Sequence, residues 1–354
     1  MTNQLAYGFW GQEALLSKRL TEVGTSVVWN MINMSVEEQN RQIAEMLKSF
    51  VERTTKHKER FRLPTSGTLQ PLDEYGNPLP VKPGGYFDVA FPLRGGGTAF
   101  GVNRVTGKTM TVAEVNNLTI ERLGEDANWM RRHMLAAVLH NAAWTFDDPE
   151  FGNLTIQPLA NGDTVRYNLV GGSTATDNHY LAQANAISNT DNPFGTIYDE
   201  LMEHPSNSGP VVVYVASSLT DSIEGLSDFV DVGDPDIRYG VNTDQIASPF
   251  SKGFGDEVLG KINKCWIVEW RALPDGYMIA HAQGAGPVLK MREYGVQSLQ
   301  GLFTESNSPD GNLQETRFIR YAGFGVANRI GALVYQVGSA TYNVPAGYSN
   351  PLSV

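Results

Sequence analysis

The segment from residue 64 to residue 110 places the strongest constraint on how this chain can fold. Prolines recur through most of it, and each one removes a backbone donor and clashes with the preceding helical turn, so a long helix cannot form there. Two apolar runs, Tyr86–Phe91 and Thr98–Val105, favour β-strands, and Arg94–Gly97 between them favours a turn. The pattern predicts a long, projecting two-stranded hairpin. The prolines are Pro64, Pro71, Pro78, Pro80, Pro83 and Pro92.

This hairpin is apolar enough for its strands to pair, but it has too little sequence to build a core of its own. An isolated two-stranded hairpin is only marginally stable in water, and its open edges can pair with another chain. We therefore expect it to rest on another surface. Further copies of the same protein are the surface that we expect.

Two capping boxes predict helices before and after the hairpin. Ser35–Glu38 marks the start of a helix of about 18 residues, because apolar residues follow at helical spacing as far as Val51. Thr111–Glu114 marks the start of a longer helix, whose apolar residues recur at every third or fourth position. Since Pro149 prevents its continuation, we expect about 30 residues and a length of about 45 Å.

The rest of the chain mixes short strands and short helices, which indicates an α+β fold. Phe151–Tyr167 is typical of two strands joined by a turn at Asn161–Gly162. Residues 231–256 are rich in glycine, aspartate and asparagine and favour a loop. Further strands are predicted at Val211–Ala216, Lys264–Trp270, Tyr277–His281, Pro287–Arg292, Gln314–Phe324 and Ala332–Val337, and short helices at Phe194–His204 and Leu219–Phe229.

Charge and composition narrow the functional classes. The formal net charge is −11 over 354 residues, so the chain lacks a general basic surface for gripping nucleic acid. Cys265 is the single cysteine, which excludes an intramolecular disulfide, and its apolar surroundings predict a buried thiol. There is no run of about 18 apolar residues, and Met1–Leu20 lacks the pattern of a secretory signal. We interpret the chain as a soluble protein made in a cytoplasm.

No sequence motif supports catalysis, a cofactor or a metal ion. Gly101–Thr109 resembles a phosphate-binding loop, but five residues separate its glycines where that motif has four. The aspartates within residues 228–236 lack the spacing of a helix–loop–helix calcium site, so we interpret them as a solvated acidic loop. His133 and His140 lie seven residues apart on the long helix without a pattern of further zinc ligands. We therefore predict that the chain is not an enzyme and binds no cofactor.

The order of these parts resembles that of the major capsid proteins of tailed bacteriophages, which have the Hong Kong 97-type fold. The resemblance covers nearly the whole chain as an architecture. Trp144–Asp148 followed by Leu154–Ile156 is typical of how such proteins leave their long helix. Arg317–Val326 followed by Ala332–Tyr335 resembles the closing strands of their peripheral domain.

The resemblance implies an α+β fold in four parts. Residues 1–62 are implied to form an N-terminal arm, and residues 63–110 an extended β-hairpin E-loop with its tip near Arg94–Gly97. Residues 111–167 and 283–354 are implied to form a peripheral domain with a long spine helix. Residues 168–282 are implied to form an axial domain, whose loops surround five-fold and six-fold axes.

The function that the resemblance implies is mechanical. Such a protein self-assembles into the pentamers and hexamers of an icosahedral shell, which encloses the double-stranded DNA of a tailed phage without sequence-specific binding. The implied partners are a separate scaffolding protein, a portal and a decoration protein, with no membrane. The implied location is the virion, after synthesis in the bacterial cytoplasm. The alternatives are an encapsulin-like cellular nanocompartment shell, which encloses enzymes, and a nucleotide-dependent enzyme that uses Gly101–Thr109. A stand-alone sugar- or cell-binding β-protein is a third alternative, which the long mid-chain helix fits poorly.

On this interpretation the arm and the hairpin lie over adjacent subunits. Aromatic side chains there gain burial, at about 25 cal/mol per Å² of apolar surface. A glycine-rich tip tolerates the small changes of angle between pentamers and hexamers. The predicted subunit contacts are Trp10, Trp29, Tyr86, Phe87, Phe91, Arg94, Gly95, Gly96 and Gly97.

Overall fold

The computed structural model describes residues 8–9, 13–48, 50–62, 69, 71–78, 85–103, 105–232, 256–306 and 315–352. Trp10 and most of the loop predicted at residues 231–256 lie outside these ranges. The α-helices of the described residues are α1 (Glu13–Leu16), α2 (Leu20–Val23), α3 (Thr25–Leu47), α4 (Thr106–Thr109), α5 (Val112–Leu139), α6 (Phe194–Met202) and α7 (Thr220–Glu224).

Helix α5 forms where the sequence predicts the long helix. Its 28 residues correspond to about 42 Å at 1.5 Å per residue. The capping box at its start is complete: the Glu114 amide donates to Thr111 Oγ1 at 3.3 Å, and the Thr111 amide donates to Glu114 Oε2 at 2.7 Å. Among the helices that the structure describes, α5 included, none combines the length and the apolar composition needed to cross a bilayer.

Helix α3 begins ten residues earlier than the predicted capping box, at Thr25. The predicted start at Ser35–Glu38 is wrong, because Ser35 is buried in the middle of the helix and its hydroxyl donates to the Met31 carbonyl at 3.0 Å. The boundary lies instead at Gly24, whose φ of 92° separates α3 from α2. Ser35 therefore does not cap a helix: its hydroxyl bonds the carbonyl four residues earlier, as a serine inside a helix does.

The strands form two larger sheets and three two-stranded ribbons. The strands are β1 (Val51–Thr54), β2 (Lys58–Arg62), β3 (Tyr86–Ala90), β4 (Arg94–Gly101), β5 (Trp144–Asp148), β6 (Gly152–Ile156), β7 (Gly162–Asn168), β8 (Thr174–Asn178), β9 (Tyr180–Gln183), β10 (Val211–Val215), β11 (Val230–Asp231), β12 (Glu257–Ile262), β13 (Cys265–Glu269), β14 (Tyr277–Ala282), β15 (Leu289–Arg292), β16 (Leu302–Ser306), β17 (Glu315–Val326) and β18 (Ala332–Val337). The five-stranded sheet has the order β1-β15-β17-β16, with β4 also paired to β17, and the seven-stranded sheet has the order β11-β12-β13-β10-β14-β18-β9. The ribbons are β2–β3, β5–β6 and β7–β8.

The hairpin exists, but with different strands from those predicted. β3 pairs antiparallel with β2, with Phe87 opposite Phe61. β4 pairs antiparallel with β17, with Gly96 opposite Arg320. The predicted pairing of β3 with β4 and the predicted turn at Arg94–Gly97 are therefore wrong, because those four residues are the first half of a strand. The ribbon is β2–β3, and the residues between its strands are 63–85.

One other predicted pairing is also corrected. Strands form within Phe151–Tyr167, but β6 pairs with β5 and β7 pairs with β8. Residues 332–337 form β18, which pairs with β14 and β9 in the seven-stranded sheet. Strand β17 belongs to the five-stranded sheet, so Arg317–Val326 and Ala332–Tyr335 lie in different sheets. That both segments belong to one peripheral domain remains a prediction.

Helix α5 lies between the two larger sheets. Its C-terminal half contributes Met134 and Leu139 to one apolar core, which also contains Val212 of the seven-stranded sheet and Phe324 of the five-stranded sheet. The other face of the seven-stranded sheet packs against α6 and α7. The N-terminal halves of α3 and α5 share a third core with β4 and β17.

A buried polar contact joins α3, α5 and β17. Arg320 is 1% exposed, and its guanidinium donates to both carboxylate oxygens of Asp126, at 2.6 and 2.8 Å. The same guanidinium donates to Asn40 Oδ1 at 3.1 Å. Asn40 also accepts from and donates to the backbone of Leu302, both at 2.8 Å. These side chains hold the sheet that carries β4 against the two longest helices.

Candidate subunit interface

The β2–β3 ribbon carries charge on one of its faces. Lys58, Arg60 and Arg62 share this face with Tyr86 and Asp88, because side chains alternate along each strand. Arg60 donates to the two oxygens of Asp88 at 2.7 and 3.1 Å, and the Lys58 ammonium lies 3.2 Å from the same carboxylate. The hydrogen bond from Arg60 is the main reason why the pKa of Asp88 falls to about 2. Three basic groups and one acidic group therefore face outward on a chain whose net charge is −11.

The opposite face of the ribbon is attached to the body of the chain. The rings of Phe61 and Phe87 stack with their centroids 5.5 Å apart, and both are partly buried. Glu59 accepts from the Lys290 ammonium at 2.8 Å, which ties the ribbon to β15. Val89 is buried. The base of the ribbon is therefore held by its own chain, and the charged face is not.

The segment between β2 and β3 presents apolar side chains to solvent. Leu69 is 100% exposed, Tyr75 is 81% exposed and Leu72 is 61% exposed. Asp73 holds this part of the segment in a turn, since its Oδ1 accepts from the amides of Tyr75 and Asn77 at 2.9 and 2.7 Å. Large apolar residues held outward in this way are typical of a surface that another molecule covers. We call Leu69, Leu72 and Tyr75 the loop triad.

Sequence reasoning did not find the loop triad. The signal was present in the Asp73–Asn77 turn, where an aspartate precedes Gly76 by three residues. The glycine-rich run at Arg94–Gly97, the predicted tip of the hairpin, is the stronger turn signal in the sequence.

The predicted aromatic contacts have unequal exposure. Tyr86 is 64% exposed and lies on the charged face of the ribbon. Phe87 is partly buried in its stack with Phe61. Phe91 is fully buried within its own chain, and a side-chain atom added to Gly325 would lie 2.7 Å from its ring. Its side chain therefore offers no surface for a neighbouring subunit to cover.

Arg94 and the following glycines pack within the chain. The Arg94 guanidinium lies 5.2 Å from the ring centroid of Trp144 and 5.9 Å from that of Phe146. A Cβ at Gly95 would lie 2.8 Å from the Tyr321 ring, and a Cβ at Gly96 would lie 2.8 Å from the Trp129 ring. These glycines allow aromatic rings to approach the strand closely, which is a packing role rather than a flexible tip. At Gly97 the nearest atom to such a Cβ is a backbone oxygen at 3.4 Å.

Trp29 and Trp10 are the two tryptophans among the predicted subunit contacts. Trp29 lies on α3, is partly buried and packs against the core that α3 and α5 share. Trp10 lies outside the described residues. Their predicted role as subunit contacts remains a prediction.

The Cys265 thiol and the His133 imidazole are both packed within the protein. Cys265 is buried, as predicted, and burial raises the pKa of its thiol to about 12. His133 is packed against Trp129, and its pKa falls to about 4, mainly because of burial and further because of the charges of Arg94 and Arg132. Neither group is set up to act as a nucleophile or as a base near neutral pH.

Comparisons with known proteins place this geometry in a fold. No protein-family model matches the chain, and no curated protein matches it. A solved structure from Mycobacterium phage Patience matches with a TM-score of 0.67 and 20% identity, covering 96% of each chain. The mature capsid of bacteriophage PhiM1 matches with a TM-score of 0.48 and 9% identity, over 80% of this chain and 83% of that one. A virus-like particle from Pyrococcus furiosus matches with a TM-score of 0.42 and 11% identity, over 88% and 98%.

Of these three structures, the one from phage Patience is similar enough to define the fold. The two chains share an α+β architecture over nearly their whole lengths, which confirms the predicted fold class. The predicted resemblance is confirmed as a likeness in fold to a structure from a phage.

Proposed function

We propose that this chain is the major capsid protein of a tailed phage, which self-assembles into the pentamers and hexamers of an icosahedral shell around double-stranded DNA. The observation that carries the proposal is the likeness in fold to the structure from Mycobacterium phage Patience over 96% of both chains. A likeness of this extent leaves little sequence in either chain for a different domain with a different activity.

The exposed apolar surface of the loop triad supports the proposal. A monomer that displays Leu69, Leu72 and Tyr75 on a projecting segment exposes apolar surface that its own core does not use. Covering that surface with a sister subunit removes it from water, at about 25 cal/mol per Å². One such contact is modest, but it recurs at every subunit of a closed shell.

The charge of the ribbon supports the same arrangement. Its outward face carries Lys58, Arg60 and Arg62, whereas the chain as a whole is acidic. A basic projection on an acidic subunit is complementary to the surface of the next identical subunit. Head-to-tail contacts of this kind close into rings when the rotation between subunits permits it.

The negative net charge of the chain is also compatible with a shell that encloses DNA. A subunit with a net charge of −11 lacks a general attraction for DNA, so a shell of such subunits can enclose DNA without reading its sequence. In this proposal the chain has no enzymatic activity of its own. A separate scaffolding protein, a portal and a decoration protein are its proposed partners, and residues 1–62, 63–110, 111–167 with 283–354, and 168–282 are its proposed parts.

Electron microscopy of the purified full-length protein tests the proposal. We expect closed shells built from pentamers and hexamers, and particles taken from infected cells should hold DNA that resists added nuclease. Shells that enclose protein and no nuclease-resistant DNA would favour the nanocompartment alternative instead. A monodisperse monomer at high protein concentration would contradict both.

A further inference from the structure

A cluster of titratable side chains lies where the β7–β8 ribbon meets the end of α6. Asp177 is in β8, and Glu203 and His204 follow directly after α6. One donor atom from each of the three lies within 4.8 Å of the others. The His204 side chain is 2% exposed and that of Asp177 is 11% exposed, whereas that of Glu203 is 38% exposed. The cluster is therefore buried on one side and reachable from solvent on the other.

The distances between these donor atoms match those around a small metal ion. Asp177 Oδ2 lies 3.1 Å from His204 Nε2, and Glu203 Oε1 lies 3.7 Å from the same nitrogen. Zinc binds nitrogen and oxygen ligands at about 2.0–2.2 Å in tetrahedral geometry, which places neighbouring ligand atoms about 3.3–3.5 Å apart. The two distances bracket this separation.

The hydrogen bonds of His204 call for a cation beside its ring. Nδ1 lies 3.3 Å from the Asn168 carbonyl oxygen, and Nε2 lies 3.1 Å from the Asp177 carboxylate. Both neighbours only accept hydrogen bonds, whereas a neutral imidazole has a single N–H. If Nδ1–H donates to the carbonyl, the Nε2 lone pair points at a carboxylate unless a proton or a metal ion lies between them. A backbone carbonyl on the far nitrogen is also the usual second partner of a metal-bound histidine.

The charge around the cluster favours a divalent ion over a single proton. Asp177 and Glu203 bring two carboxylates, and one protonated histidine neutralises only one of them. His179 Nδ1 lies 3.4 Å from Asp177 Oδ2, where it can fix the orientation of that carboxylate.

We propose that Asp177, Glu203 and His204 bind one divalent metal ion of the zinc class, with water as a fourth ligand. An imidazole and two carboxylates form a donor set that suits zinc better than calcium or magnesium, which prefer oxygen ligands alone. The ion would tie the β7–β8 ribbon, through Asp177, to the end of α6. The proposal does not rest on the proposed function.

Zinc titration of the full-length protein tests the proposal. We expect isothermal calorimetry with ZnCl₂ to give about one site per chain, and elemental analysis after dialysis to find the same ratio. His204→Gln and Asp177→Asn should weaken binding by about 100-fold or more, because even the loss of an outer-shell partner costs about 10–100-fold. Zinc should also raise the melting temperature of the wild-type protein, since it binds the folded state.

Glu203→Gln tests the site with a variant that should fold. The Glu203 side chain is 38% exposed, and replacing it leaves the buried groups of the cluster in place. We expect it to weaken zinc binding by at least about 10-fold while its circular dichroism stays that of the wild type. Glu224→Gln, at the exposed end of α7, is the matched control and should bind as the wild type does. The proposal is overturned if the wild-type protein takes up no zinc, or if Glu203→Gln and Glu224→Gln bind it equally well.

Discussion

Asp148 is a buried carboxylate that pairs with Arg292, and Arg292 joins three separate parts of the chain. The Arg292 guanidinium donates to Asp148 Oδ2 at 2.6 Å and to the Phe91 carbonyl at 3.0 Å, so that β15, β5 and the end of the ribbon are joined. The backbone amides of Glu150 and Phe151 donate to Asp148 Oδ1 at 3.0 and 3.1 Å. Burial alone would raise the pKa of this carboxyl, but the hydrogen bonds from Arg292 and the two amides outweigh it, and the pKa is lowered.

A pH dependence of stability follows from Asp148. A carboxyl whose pKa is lower in the folded state than its unfolded value of about 3.9 stabilises the fold above that value. The stabilisation is lost as the pH falls through the lowered pKa. We expect Asp148→Asn to melt at a lower temperature than the wild type at pH 7, and the difference to shrink below about pH 4.

Thermal unfolding followed by circular dichroism from pH 3 to pH 7 measures this difference. Asp147→Asn is the control, because Asp147 is the exposed neighbour on the same strand. It should melt as the wild type does at each pH. A gap between Asp148→Asn and the wild type that stays constant down to pH 3 would show that Asp148 acts through packing rather than through its charge.

At the scale of the elements, local signals predicted the fold better than long-range ones. Helix α5 and strand β10 were predictable, because a capping box and a run of valines are visible within a few residues. The pairings of β3 and β4 were not, because their partners β2 and β17 are distant in sequence or were not read as strands. The start of α3 was not predictable from Ser35 alone, because a serine that caps a helix and a serine inside one can occur in the same local pattern. The apolar spacing before Ser35 distinguishes them.

The candidate interface was predictable in part for the same reason. The sequence indicated an extension between residues 63 and 110 that needs a support. Strand β3 and the exposed loop triad lie within that range, whereas β2, the partner of β3, lies just before it. It did not indicate which residues face outward. Phe91 and the glycines after Arg94 are apolar or flexible residues whose surroundings are set by β17 and α5, and these lie far away along the chain.

The contact between β4 and α5 makes a prediction about Gly96. A Cβ at this position would lie 2.8 Å from the Trp129 ring, so Gly96→Ala forces the ring or the strand to move. We expect a loss of about 1–3 kcal/mol in the free energy of unfolding, as for other overpacked sites. Denaturant unfolding measures it.

Gly124→Ala is the matched control, on the helix that β4 packs against. No atom lies within 4 Å of a Cβ at Gly124, so the added methyl group meets open space. Alanine is the better helix former, and we expect a gain of about 0.5–1 kcal/mol. Equal effects of the two substitutions would mean that the approach of Trp129 to β4 is unimportant for stability.

At the scale of the whole molecule, the chain combines well-packed cores with exposed apolar side chains, those of the loop triad, that these cores do not include. The cores around α5 and the two sheets are built from the chain's own side chains. Leu69, Leu72 and Tyr75 belong to none of them and are largely exposed. In our account this surface is completed by sister subunits, so removing its apolar character should abolish assembly and leave the fold unchanged.

Sedimentation velocity of a Leu69→Ser, Leu72→Ser, Tyr75→Ser triple variant tests this claim most directly, with Glu74→Gln from the same turn as the control. We predict shells from the wild type and from Glu74→Gln, and only single chains or small oligomers from the triple variant. Circular dichroism should give the triple variant the secondary structure of the wild-type chain. Shells from the triple variant in wild-type size and yield would contradict the account.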